Sequence, residues 1–254
     1  MKVSIITVVF NGAETIRSTI ECILNQTYPD IEYIVIDGQS TDDTVAIIRS
    51  YEHRLARFVS EPDKGLYDAM NKGIGMATGE VIGLLNADDF YPDNEVIAHV
   101  VDRFRQTGSD AVYGDILYVN RDNTQQVKRY WKSGLYREGA FKWGWMPGHP
   151  AFFVRKRIYD QFGLFNIQLR SAADYELMLR FIHKHKITLS YLPEVLVVMR
   201  DGGVSNRSLK NRLKANREDQ LAWDLNGLKP YVFTLWLKPL RKIGQFISRG
   251  PGKP

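Results

Sequence analysis

The chain of 254 residues holds one cysteine, Cys22, which excludes an internal disulfide framework and a thiolate metal cluster. Cys22 falls among Ile20, Ile23 and Leu24 in a helix-like apolar stretch, so it reads as core, and a reducing compartment suits it. No apolar run reaches the ~18 residues that a membrane-spanning helix needs. The opening run VSIITVVF stops at Asn11-Gly12 with no small-residue cleavage site, which fits a buried strand and not a signal peptide. We therefore expect a cytoplasmic protein. The turn FNGAETI has one glycine and lacks the dinucleotide-binding G-x-G-x-x-G; the glycines from Gly73 to Gly79 have the wrong spacing and precede a strand. There is no P-loop and no H-E-x-x-H, and His183 and His185, two apart, would lie on different faces of a helix. Acids are scarce at the C-terminus: from Gly203 onward 11 Lys and Arg meet 3 Asp and Glu, against 23 and 26 in the rest. Basicity confined to a tail speaks against a nucleic-acid partner, whose enzymes usually spread it around the cleft.

With 44% hydrophobic and 12% aromatic residues the chain can build a large core. Val3–Phe10 and Ile31–Ile36 are continuous β-branched runs, the mark of strands covered on both faces. Between them Thr15–Asn25 carries Ile16, Ile20, Ile23 and Leu24 at helical spacing. Ser40-Thr41-Asp42-Asp43 has capping-box spacing with an acid in the last place, and should open a helix through Val45, Ile47 and Ile48. A short strand near Arg57–Ser60, a helix near Leu66–Ala77 and a strand over Glu80–Leu85 continue the alternation. Pro92 is placed to start a helix that closes at Gly108. Asp110–Asn120 and Gln125–Trp131 read as a hairpin, a helix should begin near Ala172, and Ile187–Met199 offers one or two strands. This is an α/β pattern with a mostly parallel sheet, in which ligands bind at the carboxyl ends of the strands.

Those strand ends are acidic. Asp37 ends the second strand, Glu61 and Asp63 follow the third, and Asp88-Asp89 follow VIGLLN. Hard carboxylate oxygens hold Mg²⁺ or Mn²⁺, which can bridge the two phosphates of a nucleotide and take up the charge of a diphosphate leaving group. Asp88 and, less clearly, Asp89 fit that use; both could instead cap the helix near Pro92.

VSIITVVFNG, EYIVIDGQSTDDT and SEPDKGLYDAMNKGIGMATGEVIGLLNADD, in this order, resemble the successive signatures of glycosyltransferase family two, inverting enzymes of the GT-A fold. The likeness covers roughly residues 3–205, and with GHPAFF and GGVS it points to the branch that builds bacterial exopolysaccharide and O-antigen units. It implies transfer of a sugar from a nucleotide-diphosphate donor, of UDP type, to a hydroxyl of a saccharide acceptor carried on a lipid. It implies that Thr7, Val9, Asn11 and Asp37 surround base and ribose, and that Asp63 and Lys64 lie near the diphosphate. Asn86-Ala87-Asp88 fills the D-x-D motif with Asn in place of its first acid, which leaves Asp88 as the metal ligand. SAADYELMLRF resembles the helix start that bears the general base, here Asp174, with Ala173 replacing the usual Glu. His149 is a candidate for metal, diphosphate or acceptor contact, and Arg200 with Gly202, Gly203 and Ser205 resembles a loop that closes over donor.

On this reading residues 1–205 form the catalytic domain, 1–120 for the donor and 121–205 for the acceptor, with the acceptor pocket in Tyr130–Pro150. Residues 206–254 form a basic amphipathic helical extension. YVFTLWLKPLRKIGQFI within it mixes apolar residues with cations, as a segment lying on an anionic membrane does, or as a helix packed on the body or a partner. Two other readings share part of this evidence: a nucleotidyltransferase, and a non-catalytic scaffold of a polysaccharide-assembly complex.

Overall fold

The computed structural model describes residues 1–202 and 209–241. Its centre is a mixed sheet of nine strands in the order β3-β2-β1-β4-β8-β6-β9-β5, with β7 paired beside β6. β1 (Val3–Val9), β2 (Ile31–Asp37), β3 (Arg57–Ser60) and β4 (Val81–Leu84) are mutually parallel. The helices between them are α1 (Ile16–Leu24), α2 (Thr44–Ser50) and α3 (Leu66–Met76). After β5 (Asp89–Phe90) and α4 (Val96–Thr107) come β6 (Ala111–Val119) and β7 (Val127–Trp131), an antiparallel hairpin. β8 (Phe152–Arg155) runs antiparallel to β4 and β6, while β9 (Leu189–Arg200) is parallel to β6 and antiparallel to β5. α5 (Lys156–Phe162), α6 (Ala173–Met178), α7 (Leu209–Leu225) and α8 (Thr234–Arg241) complete the fold. None of the described helices is long and apolar enough to cross a membrane.

β1 is buried along its whole length because both faces are covered. Val3, Ile5 and Val9 face a core shared with α1, α2 and α4, whereas Ile6 and Val8 face one shared with α3, α5, α6 and α7. A strand between two helical layers has no solvent side for a polar residue, hence its unbroken apolar run. Cys22 sits half-buried on α1, and burial pushes its thiol up to about 12, so it is inert core as expected.

Three local expectations are corrected. α4 begins at Val96 behind Glu95, so Pro92 lies in the preceding turn, and neither Asp88 nor Asp89 caps that helix. Its end at Gly108 is as read: φ is +64°, a left-handed conformation that glycine takes freely. The Ser40–Asp43 capping box does not form; Asp42 Oδ1 instead accepts from the Thr44 amide at 3.0 Å, and Asp42 Oδ2 from the Ala13 amide at 3.2 Å. This ties the loop after β1 to the loop after β2.

α7 and α8 are not a detached extension. Trp223 of α7 is fully buried in the core beneath α6, where its indole donates to the Tyr175 hydroxyl at 2.9 Å. Lys238 of α8 reaches both oxygens of buried Asp219 at 2.7 Å and lies 3.8 Å from the centre of the Tyr175 ring. Gly144 lets α8 approach: a side chain there would run into the Lys238 backbone. Trp223→Ala should lower stability by about 3–5 kcal/mol in urea denaturation, the usual cost of emptying a large buried aromatic site. A loss below ~1 kcal/mol would mean that α7 lies outside the cooperative core.

Candidate active site

Parallel pairing puts the carboxyl ends of β1, β2 and β4 on one edge, and their loops meet there. Asp37 has no exposed surface. Its Oδ2 accepts from the Ser40 amide at 3.0 Å and the Ser60 hydroxyl at 2.6 Å, and its Oδ1 from the Ser40 hydroxyl. Ser60 is supplied by register, since it stands opposite Asp37 in the β2–β3 pair. Asp37 is thus anchored by three hydrogen bonds from Ser40 and Ser60. The Ser40 hydroxyl also accepts from the Asn11 amide at 2.8 Å, and Asn11 Oδ1 accepts from the Thr41 amide at 2.9 Å. Asn11 holds φ at +51°, which asparagine tolerates better than most residues. Thr7 is enclosed, accepting from the Tyr33 hydroxyl at 3.1 Å, and Val9 packs into the core, so both support this mouth from below. Phe10, which the motifs did not single out, is 64% exposed at the rim.

Gly38 allows the third loop to close in, because a methyl group there would collide with Asp63. Asp63 Oδ1 accepts from the Gly65 amide at 2.7 Å, while Lys64 is exposed and its ammonium pairs with no described carboxylate. Glu61 is taken up by Lys72 at 2.8 Å.

The Asn86–Asp89 turn separates its two acids. Asp88 is half-exposed, and its carboxylate accepts no hydrogen bond from a described residue. Asp89 is 1% exposed; Asn86 donates to its Oδ2 at 2.8 Å, and its Oδ1 is buried without a hydrogen-bond partner. Burial and then the neighbouring Asp88 push the Asp89 carboxyl well above the usual range, with Asn86 and Arg200 acting the other way. β9 delivers Arg200, which donates to the Asp88 carbonyl at 2.7 Å and to the Ser18 hydroxyl at 3.0 Å, with Phe90 beneath its guanidinium. Asn86 therefore faces inward as a positioning group. Among the described residues no three His, Cys, Asp or Glu gather as a metal cluster. One open carboxylate and an orphaned buried oxygen beside it fit a cation that takes its remaining ligands from phosphates and water, as Mg²⁺ commonly does.

Asp174 in the first turn of α6 accepts at Oδ1 from the Tyr175 amide at 2.8 Å and the Tyr67 hydroxyl at 3.3 Å. Its Oδ2 receives no hydrogen bond from a described residue and is free for a ligand. Tyr67 stacks on Phe165, whose edge meets His149. His149 is buried, which lowers its pKa, while Asp174 pulls it the other way. It therefore belongs with Asp174 and not with the Asp88 turn. The Tyr118 phenol is pushed up to about 12, mainly by burial, with Arg129 opposing and Asp89 and Asp174 adding to the rise.

Residues 4–163 match the model for glycosyl transferase family 2. The chain belongs to that family. A PGL/p-HBAD biosynthesis glycosyltransferase of Mycobacterium bovis is 28% identical over 219 residues, covering 80% of this chain and 78% of that protein. An uncharacterized glycosyltransferase of Mycobacterium tuberculosis is 32% identical over 70% of this chain and 68% of its own length. Chondroitin synthase of Escherichia coli is 30% identical over 73% of this chain but only 28% of its own. Among solved structures, S. aureus TarS 1-349 in complex with UDP-GlcNAc overlays with a TM-score of 0.69 at 17% identity, over 89% of this chain, which spans 65% of that one. The mannosyltransferase PcManGT from Pyrobaculum calidifontis, in complex with GDP-Man and Mn²⁺, gives 0.66 at 18% identity over 98% and 76%. These overlays establish the GT-A fold.

The motifs of this family 2 glycosyltransferase name Asp37, Asp88 and Asp174 but not their holders. Tyr67, inside SEPDKGLYDAMNKG, was within reach of a motif reading. So were Ser40 and Ser60, inside EYIVIDGQSTDDT and the same run, but not Glu218 of α7, whose Oε2 accepts from Ser171 N at 2.7 Å, Ser171 Oγ at 2.8 Å and Ala172 N at 3.2 Å. Gly202 is seen in a turn with φ +102°, whereas Gly203 and Ser205 lie outside the described residues. Arg200→Met should cost about 2–3 kcal/mol of stability by chemical denaturation, because it removes the cation opposing a buried carboxylate. An unchanged midpoint would show that Arg200 does not hold the turn.

Proposed function

We propose that the chain transfers a sugar from a nucleoside diphosphate donor, of UDP type, to a hydroxyl of a lipid-carried saccharide, with inversion. One observation supports the reading most: Asp174 has one oxygen held by Tyr67 and the Tyr175 amide, while the other accepts no hydrogen bond from a described residue. A carboxylate held that way can take a proton from an acceptor oxygen as it attacks the sugar carbon, while the diphosphate departs on the opposite face. Asp88, and Asp89 through its orphaned oxygen, are the residues that would hold Mn²⁺ or Mg²⁺, which supplies Lewis-acid stabilisation of the leaving diphosphate. Exposed Lys64, whose ammonium pairs with no described carboxylate, is the cation proposed to meet the diphosphate. Asp37 is the acceptor proposed for a ring N–H of the base, and exposed Phe10 offers a face for stacking. The donor class is supported by structural neighbours solved with UDP-GlcNAc and with GDP-Man and Mn²⁺. A relative named chondroitin synthase fits a saccharide acceptor.

Asp88→Ala and Asp174→Asn should each lower transfer by about 10² or more, read as nucleoside diphosphate released per acceptor. They should differ in calorimetry: Asp88→Ala loses metal-dependent nucleotide binding and Asp174→Asn keeps it. Undiminished transfer in either variant overturns the mechanism, and release of pyrophosphate from a nucleoside triphosphate would favour a nucleotidyltransferase instead.

Glu218 is proposed as a positioning residue, since it grips the two residues just before the α6 turn that carries Asp174. Glu218→Ala should cut kcat about tenfold at unchanged donor KM, with Glu218→Gln recovering part of the loss. A rise in KM alone would reassign it to donor binding.

A further inference from the structure

The outer side of α8 and the turn before it present large apolar groups that nothing described covers. Val232 is 97% exposed and Trp236 70%, and Tyr231, Phe233, Leu240 and neighbouring Trp143 are exposed as well. The surface is continuous: the Trp143 ring lies 6.0 Å from Tyr231 and 5.3 Å from Phe233. Phe233, Trp236 and Leu240 share one helix face by spacing. That face cannot turn inward, because the opposite side of α8 is pinned. Thr234 donates to the Lys142 carbonyl at 2.6 Å, and Lys238 is locked onto Asp219. The patch is therefore built into the fold.

The sequence that carries α8 is basic. From Leu225 to Pro254 the sequence has six Lys and Arg and no Asp or Glu. Lys142 lies 5.0 Å from the Tyr231 ring centre. Beside the patch a cleft of about 410 Å³ is lined in part by Lys142, Lys186 and His183, with Glu138 paired to Lys186 at 2.7 Å as the carboxylate in its wall. A second copy docked by two-fold symmetry would set this cationic strip against itself. Tryptophan and tyrosine beside lysines are instead what the boundary between hydrocarbon and anionic headgroups accommodates.

We propose that the α8–Trp143 face docks the protein on a bilayer containing anionic phospholipid, Trp236 and Val232 entering the interface and a headgroup phosphate facing the Lys142 cleft. The docking does not rest on the glycosyl-transfer reading; if both hold, it brings the enzyme to a membrane-borne acceptor.

The test is co-sedimentation of the full chain with phosphatidylcholine vesicles, with and without phosphatidylglycerol. Wild-type protein is expected to bind the anionic vesicles, with a blue shift of tryptophan fluorescence and weakening at high salt. Val232→Ser/Trp236→Ser should lower partitioning about tenfold or more, and Lys142→Glu should reduce the preference for anionic lipid. Both positions of the double variant are exposed, so its melting temperature and nucleotide binding should stay at wild-type values, which separates failed docking from failed folding or failed catalysis. No binding to anionic vesicles, or equal binding by the double variant, overturns the proposal. So does a dimer in ultracentrifugation that the double variant abolishes.

Discussion

Everything functional here depends on parallel pairing among β1, β2 and β4. Parallel neighbours end on the same edge, so the loops after Val9, Asp37 and Leu84 are forced together whatever their sequences. The chain then fills that edge with short polar residues that bond across loops: Ser40 and Asn11 join the first two, and Asp42 reaches the Ala13 amide. Glycine serves where neighbours close in, at Gly38 beneath the Asp63 carboxylate and at Gly12 against the Val9 side chain. The result is an edge that is acidic, rigid and open at few points.

The second constraint is electrostatic. Asp89 is buried with one oxygen unpartnered, a state that costs free energy unless a cation or a proton compensates. Arg200 supplies partial compensation from the far end of the chain by binding the Asp88 carbonyl and Ser18. β9 can deliver it because Asp89 pairs with Met199, one residue before. The turn is thus fixed by backbone contacts, which leaves the Asp88 carboxylate free for a ligand.

The C-terminal helices change the picture around Asp174. α7 buries Trp223 under α6, holds the residues before Asp174 through Glu218, and joins the buried Glu176–Arg180 pair through Asn226. α8 adds Lys238, shared between Asp219 and the Tyr175 ring. These helices are a brace for α6, and the basic charge that marks them in the sequence lies partly inside that brace. Val232, Trp236 and Leu240 are left exposed on the outer side.

By itself the sequence determined the strand and helix succession up to Val119, because burial on both faces writes an unbroken apolar run and helical burial writes a period of about 3.6. It also determined which acids end strands, and so the candidates Asp37 and Asp88, while Asp174 came from the family resemblance at a helix start. Local readings failed where alternative hydrogen bonds of similar strength compete, as at Asp42, where the partners lie in another loop. Only the tertiary structure decided the rest: that Asp88 is open while Asp89 is buried, that Tyr67 reaches Asp174 across 107 positions, and that Glu218 reaches Ser171 across 47. Contacts between residues so far apart leave no periodic trace, since each partner is an ordinary polar residue until the fold brings them together.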